Sequence, residues 1–475
     1  MRLPFFTLCV FGTATLAACA DAGAPTAPTG AMAPSGPART VVNFGFTQIG
    51  TPGTLASAVA MNDAGQVAVT TRPVSLDLAA LWVNGSMQLL LGGPGSVSTT
   101  PVDINALGTV VGMDRAAFGT PAVWENGVYT ALPLYPGGGG ATASAINDVG
   151  RIVGNDGQGL FWADKSVAAP LRLQSYTGLT FTYDINNAGM IVGESSVIGS
   201  SVVTPRAVIW TSETAALQPL AGFASGTLCE GDNARASAIN EMGEIVGQCP
   251  STGGAVHAAY WANKDALAVD LDLLAGFSIA KGINELGQIV GTAGDLTPHA
   301  TLWSREAGTF RSFDLGVPSG SPSSNGIALN NTGQAVLVNG DQVAVDQSFL
   351  VSIPMRAAID LDPSSTANAI KLGKGTVTVA VLGSRWFRAT DVDPASLTLG
   401  NDDGLDTPVS MKKGAPSAKL TDVNRDGFLD LVADFDEGAL MNNGDLVLGT
   451  QTLVLLGRTK TGAHVRGTDV AQATK

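Results

Sequence analysis

A short pattern built around Asn-x-x-Gly recurs seven times between residues 41 and 353, and it constrains the fold more than any other feature of the chain. The pattern reads small-x-Ile-Asn-x-x-Gly and continues into an apolar run. Its asparagines lie 43, 42, 39, 54, 44 and 46 residues apart, at Asn62, Asn105, Asn147, Asn186, Asn240, Asn284 and Asn330. A recurrence with this period is typical of a repeat architecture.

A second landmark divides each repeat into two hairpins. In six repeats a Trp follows the Asn by 15 to 24 residues, and in the seventh repeat Val351 takes its place. The tryptophans are Trp82, Trp124, Trp162, Trp210, Trp261 and Trp303. Asn-x-x-Gly between two apolar runs predicts a tight turn, because Asn hydrogen-bonds its own backbone and Gly accepts a positive φ. Each repeat is therefore predicted to form four antiparallel strands.

Four such strands in roughly 45 residues are typical of a β-propeller blade. The seventh repeat has only three strands, and an extra strand at residues 41–49 precedes the first repeat. We expect this strand to complete blade seven, because ring closure removes an open sheet edge. The predicted fold class is all-β: a seven-bladed β-propeller closed by an N-terminal strand and followed by a small β-sandwich. An open β-solenoid is the alternative.

The composition excludes two classes of protein. Of the 475 residues, 45% are hydrophobic, which excludes a wholly disordered chain. The formal net charge is −14, and the Lys and Arg residues are scattered. No basic patch is therefore available to bind nucleic acid. We expect a monomer that does not bind nucleic acid.

The N-terminus predicts export and lipid anchoring. A short apolar stretch after Met1-Arg2 ends in Leu16-Ala17-Ala18-Cys19, which resembles the lipobox of bacterial lipoproteins. This resemblance implies a signal peptide at residues 1–18 and acylation of Cys19. An ordinary signal peptidase site is the alternative. Residues 19–40 form a Pro/Ala/Gly linker of the kind that tethers a domain. We expect attachment to the cell envelope, at the outer membrane in a Gram-negative cell, facing the periplasm or the exterior.

Two repeats carry His-Ala shortly before the Trp, as His257-Ala258 and His299-Ala300. With the recurring pattern, this resembles the bacterial extracellular HAF-repeat proteins over residues 41–353. The resemblance implies a propeller-like secreted protein, but the family has no agreed activity and lends no catalytic residues. Because the two histidines occupy equivalent repeat positions, we interpret them as structural.

Two cysteines, Cys229 and Cys249, lie in the repeat region. Outside the cytoplasm they can form a disulfide. Two separate buried thiols are the alternative.

Residues 354–475 interrupt the repeat and are rich in short Val/Ile/Thr strands, which predicts the small β-sandwich. Inside this module, Asp422-x-Asn424-x-Asp426-Gly places side-chain oxygens at alternate positions, and Asp430 follows. With the Phe428 carbonyl, these residues resemble the nine-residue calcium loop of extracellular β domains. We expect one structural calcium ion. A solvated acidic turn is the alternative.

The function class is decided by what the sequence lacks and by its loops. The chain contains no Walker loop, His-Glu-x-x-His or Gly-x-Ser-x-Gly, and it has three histidines. We therefore expect a non-enzymatic binding or scaffold protein for an unknown protein or carbohydrate. An extracellular polysaccharide glycosidase or lyase is the alternative, because carboxylates from different blades could converge.

The variable b–c and d–a loops of a propeller lie on one face, which we call the loop face. Recognition usually resides in loops held by a rigid scaffold. The candidate binding residues on this face are Arg206, Glu230, Asp232, Arg235 and His257.

Overall fold

Each Asn-x-x-Gly segment forms a tight turn between the first two strands of a sheet. In the first repeat, the Gly65 N–H donates to the Asn62 carbonyl oxygen at 3.0 Å. The glycine of every repeat has a φ between 68° and 85°. L side chains resist this conformation, so glycine is required there. Seven such turns therefore join the first two strands of seven sheets.

A computed structural model describes residues 40–41, 45–51, 55–73, 76–115, 119–198, 203–251, 253–271, 276–294, 297–306, 308–318, 321–339, 347–364, 368–373, 375–401 and 406–475. The predicted signal peptide, Cys19 and most of the predicted linker lie outside these residues. None of the described helices has the length and hydrophobicity needed to cross a bilayer.

Two short strands, β1 (Thr40–Val41) and β2 (Phe46–Ile49), precede the first blade. Blade one contains β3 (Ala56–Met61), β4 (Val67–Thr71), β5 (Leu78–Val83) and β6 (Ser86–Leu90). Blade two contains β7 (Thr99–Ile104), β8 (Val110–Asp114), β9 (Thr120–Glu125) and β10 (Val128–Ala131). Blade three contains β11 (Thr142–Ile146), β12 (Ile152–Asn155), β13 (Gly159–Trp162) and β14 (Leu171–Arg172).

The next blades repeat this order. Blade four contains β15 (Thr180–Ile185), β16 (Ile191–Ile198), β17 (Val203–Trp210) and β18 (Gln218–Pro219). Blade five contains β19 (Arg235–Ile239), β20 (Ile245–Pro250), β21 (Val256–Trp261) and β22 (Val269–Asp270). Blade six contains β23 (Ser278–Ile283), β24 (Ile289–Ala293), β25 (His299–Glu306) and β26 (Thr309–Asp314).

Blade seven contains β27 (Ser324–Leu329), β28 (Gln334–Asn339) and β29 (Ser348–Ser352). Its fourth strand is β2, which pairs antiparallel with β29 and aligns Phe46 with Val351. The first strands of neighbouring blades contact one another, and β27 returns to β3. The predicted seven-bladed propeller closed by an N-terminal strand is therefore confirmed. In addition, β1 pairs in parallel with β26, so the N-terminal segment is shared by blades six and seven.

The repeated tryptophans pack between adjacent blades. All six are buried. Trp162 of blade three packs against Val111 and Val123 of blade two. The indole N–H of Trp162 donates to the Pro133 carbonyl oxygen, in the loop that follows blade two, at 2.9 Å. Trp124, Trp210 and Trp261 make the equivalent hydrogen bond. The Trp position therefore supplies apolar area in six blades and, in these four, a polar link between blades.

The chain beyond the propeller folds mainly as β-strands. They are β30 (Met355–Leu361), β31 (Ala369–Lys371), β32 (Thr376–Leu382), β33 (Thr398–Gly400), β34 (Thr407–Pro408), β35 (Met411–Lys412), β36 (Ala415–Pro416), β37 (Ala418–Thr421), β38 (Asp430–Asp436), β39 (Gly449–Arg458) and β40 (His464–Thr474). Two 3₁₀ turns, Ala389–Asp391 and Pro394–Ser396, and one helix, α1 (Glu437–Asn443), complete it.

The predicted small β-sandwich takes the form of one curled sheet. Its order is β34-β33-β39-β40-β30-β32-β38-β37, with β31 also paired to β40. The strands enclose a core that includes Leu361, Val379, Leu399, Phe435 and Leu453. We refer to this unit as the C-terminal module.

Candidate functional site

A β-bulge in the first strand of every blade shapes the centre of the ring. In blade two the pairing shifts between Pro101 and Asp103, which leaves Val102 as the extra residue. The same shift occurs at the same position in the other six blades. A bulge sets two residues against one and interrupts the alternation of side chains. The bulge residue and the residue after it can therefore both face the ring centre.

These residues line a central channel. The seven bulge residues are Val59, Val102, Ser144, Tyr183, Ser237, Lys281 and Ile327. All of them border one cavity of about 630 Å³. This volume lies within the range of roughly 300–1,000 Å³ that is typical of small-molecule sites. The channel cavity is therefore the leading candidate for a ligand site within the ring.

A ring of asparagines marks one end of the channel cavity. The side-chain amide of Asn62 donates to the carbonyl oxygen of Asn105 at 3.0 Å. Each Asn of the repeat makes this bond to the next blade, and Asn330 returns to Asn62. The residues that line the cavity from the first strands precede the Asn in sequence. The cavity therefore lies between the asparagine ring and the loop face.

One side of the channel carries two cations from blades five and six. Arg235 begins β19, and its guanidinium lies 5.6 Å from the centre of the Tyr183 ring. It also donates to the Gln248 side chain at 3.2 Å. Burial raises the pKa of Tyr183 to about 12, and the nearby carboxylate of Glu194 adds to this shift. Burial, together with the positive charge of Arg235, lowers the pKa of Lys281.

Two carboxyl groups also border the channel, at the position after the bulge in blades two and four. Asp103 accepts the Ile146 N–H at 2.9 Å, and Asp184 accepts the Ile239 N–H at 2.8 Å. Each bond links one blade to the next. Burial, reinforced by the charge of Asp184, raises the pKa of Asp103 to about 7. Burial raises the pKa of Asp184 to about 6.

A pinned loop between blades four and five forms part of the loop-face rim. Cys229 and Cys249 form a disulfide, as the sequence predicts, and tie residues 220–234 to the end of β20. Arg206 and Glu230 form an ion pair at 2.7 Å. The Ala207 N–H also donates to the Cys229 carbonyl oxygen at 3.0 Å. This loop is therefore held to blade four by main-chain bonds and to blade five by a covalent bond.

The candidate residues from the sequence do not converge on one point. Arg235 borders the channel, whereas Arg206 and Glu230 pair with each other on blade four. Asp232 is exposed on the pinned loop. His257 pairs with Asp270 of the same blade at 2.7 Å. His299 makes the equivalent pair with Asp314 at 2.8 Å, in agreement with a structural role for the repeated histidines.

The C-terminal module contacts the face that carries the Asn-x-x-Gly turns, which we call the turn face. Leu286, in the turn of blade six, is 7% exposed and belongs to the core of the module. Its counterparts Leu107, Val149 and Met242 are 76%, 63% and 56% exposed. The difference arises because the module covers the turn of blade six.

Buried polar contacts fix the module on blade six. Arg466 of β40 donates to both Glu306 carboxylate oxygens, at 2.6 and 3.2 Å. Arg356 of β30 donates to the carbonyl oxygens of Arg305 and Leu286, at 2.9 and 3.1 Å. Glu306 is buried, so loss of its bidentate partner Arg466 would destabilise the protein more than loss of a surface ion pair would.

The proposed calcium loop is a tight polar turn before β38. The Asp422 carboxylate accepts the N–H groups of Gly427 at 3.0 Å and Asp426 at 3.2 Å. Asp430 is fully buried, and its oxygens accept the N–H groups of Gly383 and Val423. Among the residues described here, no group of three or more His, Cys, Asp or Glu side chains is arranged to hold a metal ion. Calcium binding at Asp422, Asn424, Asp426, Phe428 and Asp430 stays a prediction.

No protein-family model matches the chain, and no curated protein matches it. Similar solved structures include U3-55K, which is 10% identical over 65% of this chain and 98% of its own, with a TM-score of 0.44. The β-propeller domain of the trilobed protease from Pyrococcus furiosus is 13% identical over 62% and 95%, with a TM-score of 0.42. Inactive virginiamycin B lyase from Staphylococcus aureus, with quinupristin, is 10% identical over 66% and 100%, with a TM-score of 0.39. These identities are too low to transfer a function.

Proposed function

We propose that this protein is a lipid-anchored cell-envelope propeller of the HAF-repeat type that binds an extracellular ligand through its loop face, without catalysing a reaction. The position of the C-terminal module carries this proposal. The module covers part of the turn face, including Leu286, while the rim of the loop face and the channel behind it remain available. The loop face is thus the surface left for a ligand.

The pinned loop supports a binding role. Long loops lose conformational entropy when they order on a ligand, and a loop that is already held avoids much of this cost. The disulfide between Cys229 and Cys249 and the ion pair between Arg206 and Glu230 hold the loop before any ligand arrives. Asp232 remains exposed at its surface.

The anchor is tested by metabolic labelling with an alkyne-bearing fatty acid. Cys19 of the wild-type protein should incorporate the label, and Cys19→Ala should abolish it and release the protein from membranes. More than one acyl chain is expected, because a single chain holds a protein only marginally. Absence of label on the wild-type protein would reject lipid anchoring and leave ligand binding by the propeller open.

Ligand binding is tested on an array of bacterial extracellular polysaccharide fragments. Arg206→Ala and Asp232→Lys should reduce retention by about tenfold or more if the pinned loop contacts the ligand. Lys165→Ala is the matched control, because Lys165 pairs with Glu125 and lies outside the pinned loop. Equal retention of all variants would exclude this loop from binding.

A second candidate function, polysaccharide cleavage, is favoured by the two channel carboxyl groups. A carboxyl with a pKa near 7 can act as a general acid, and glycosidases use pairs of carboxyl groups. Asp103 and Asp184 have pKa values of about 7 and about 6. Appearance of new reducing or unsaturated ends during incubation, lost in Asp103→Asn and Asp184→Asn, would establish an enzyme. Retention of fragments at unchanged length would establish a binding protein.

A further inference from the structure

Lys281 lacks a counter-ion inside the channel. Within the described part of the chain, the ammonium group has no hydrogen bond and no carboxylate at ion-pairing distance. The charge that acts on it is the positive charge of Arg235. A half-buried charge without a partner destabilises the folded state. The protein therefore keeps a cation where an apolar or neutral bulge residue, as in blades one, two and seven, would be more stable.

Arg235, the other cation of the channel, has partners of its own. It faces the Tyr183 ring, donates to Gln248 and lies near the Glu194 carboxylate, whose pKa it lowers against the larger effect of burial. Lys281 and Arg235 thus form one cationic wall with one unmatched charge. An anionic group bound between them would supply the missing partner and gain a charge-assisted hydrogen bond.

Two carboxyl groups give the channel a second chemistry. Asp103 and Asp184 are fixed by main-chain N–H donors of neighbouring blades and still border the cavity. Carboxyl groups held in this way are suited to hydrogen bonds with hydroxyl groups. The Tyr183 ring adds an apolar surface to the same cavity. One small ligand that satisfies all three surfaces carries a carboxylate and several hydroxyl groups on a compact ring.

We infer that the channel binds a small sugar acid, such as a hexuronate, with its carboxylate at Lys281 and its hydroxyl groups toward Asp103 and Asp184. This site lies within the ring and is separate from the pinned loop, so either site can fail without the other. A hexuronate is smaller than the cavity of about 630 Å³, so the inference requires no movement of the blades.

The inference is tested by calorimetric titration of the full-length protein with D-glucuronate, D-glucose and acetate. Glucuronate should bind at least about tenfold more tightly than either of the others. Glucose lacks the carboxylate, and acetate lacks the hydroxyl groups. Lys281→Gln should weaken glucuronate binding by about tenfold or more, whereas Lys281→Arg should retain most of it. Lys264→Gln, at an exposed lysine paired with Asp265, is the matched control and should bind as the wild type does.

A readout without ligand guards against misfolding. The melting temperature of Lys281→Gln should equal or exceed that of the wild type, because the substitution removes an unpaired, half-buried charge. Glucuronate should raise the melting temperature of the wild type more than that of this variant. Equal affinity for glucuronate and acetate would show a general anion site and overturn the sugar-acid assignment. Absence of glucuronate binding, or full binding by Lys281→Gln, would overturn the site.

Discussion

The side-chain amide of Asn330 donates a hydrogen bond to the main-chain carbonyl oxygen of Asn62, 268 positions earlier in the chain, at 3.2 Å. Six equivalent bonds join the other neighbouring blades. The same asparagines also accept main-chain N–H groups of their own turns, as Asn330 does from Gln334 at 3.0 Å. Each asparagine therefore shapes a turn and links two blades.

Substitution Asn330→Ala should lower the free energy of unfolding by about 1–3 kcal/mol, because it leaves buried donors and acceptors without partners. Urea denaturation of the variant measures this loss. Asn263→Ala, at an exposed turn, is the control and should change the free energy by less than about 1 kcal/mol. Equal effects of the two substitutions would show that the ring adds nothing beyond turn formation.

A second ring of hydrogen bonds, one residue further along, is open at Ala106. Elsewhere the residue after the Asn accepts the N–H of its counterpart in the preceding blade, as Asp148 does from Ala106 at 2.8 Å. For the seventh bond of this ring, the Asp63 N–H would donate to a side chain at position 106. Ala106 has no side-chain acceptor, so this bond cannot form.

Ala106→Asn should therefore raise the free energy of unfolding by about 0.5–1.5 kcal/mol. Asn is preferred over Asp because Asp63 and Asp148 are already acidic neighbours. Thermal unfolding measures the gain, and Ala106→Leu, which has similar size but no acceptor, should show none. A gain with Leu and not with Asn would reject the hydrogen-bond explanation.

The sequence predicted the blades well and the site poorly, and the reason is the bulge. Asn-x-x-Gly and the Trp recur, so their shared structural role was visible as a pattern. Tyr183 and Lys281 differ from their counterparts in all other blades, and an Asp follows the bulge in blades two and four only, so the repeat pattern does not single these residues out. Simple alternation along a strand also places only one of two adjacent residues toward the ring centre, and the bulge changes this. The variation of chemistry at the positions two and three residues before the Asn is the signal that the sequence offers.

The position of the C-terminal module could not be derived from its own sequence. Leu286 occupies the same repeat position as the exposed Leu107, and nothing local to it signals burial. The residues that cover Leu286 lie far along the chain: Arg356, which donates to the Leu286 carbonyl oxygen, is 70 positions later. The sequence predicts one strand at residues 41–49 for blade seven and does not indicate the pairing of β1 with blade six.

The closing strand makes a direct stability prediction. Ile49 of β2 is fully buried against blades one and seven. Ile49→Ala should lower the free energy of unfolding by about 2–5 kcal/mol through lost apolar contact and a residual cavity. Thr47→Ala, at an exposed position of the same strand, should have little effect. If calorimetry gives the two variants the same melting temperature, ring closure by β2 does not stabilise the propeller.

The raised pKa of Asp103 makes stability depend on pH in a stated direction. Its pKa is about 7 in the folded protein against an ordinary value of 3.8, so the folded state binds this proton more tightly than the unfolded chain. Stability should therefore fall as pH rises from about 4 to about 7. Asp184 contributes with the same sign, up to its pKa of about 6.

Asp103→Asn keeps an oxygen acceptor for the Ile146 N–H but cannot titrate, so its stability should vary less over this range, by up to about 4 kcal/mol. Unfolding at a series of pH values measures the difference. Asp265→Asn, at an exposed carboxylate, should keep the wild-type loss of stability with rising pH. If the stability of Asp103→Asn varies with pH as that of the wild type does, the pKa of Asp103 is not raised in the folded protein.

Calcium should stabilise the C-terminal module through the loop before β38. Gly427 and Arg425 have φ values of 91° and 61°, which bend the chain sharply between Asp422 and Asp430. Close carboxylates repel one another when no cation is present, and calcium takes oxygen ligands of this type. The ion would relieve this repulsion and hold the loop against β38.

Removal of calcium with a chelator should therefore lower the melting temperature of the C-terminal module and leave that of the propeller unchanged. Affinity on the order of 10⁻⁴–10⁻³ M is expected, which is the range of extracellular calcium-binding modules. Asp426→Asn should remove the calcium effect, whereas Asp391→Asn, at an exposed carboxylate of the same module, should retain it. Asp430 already accepts two main-chain N–H groups, so the turn could be held without a metal ion. The experiment distinguishes this arrangement from a calcium-binding loop. Unfolding that is insensitive to both calcium and chelator would identify it as an acidic turn held by its own main-chain bonds.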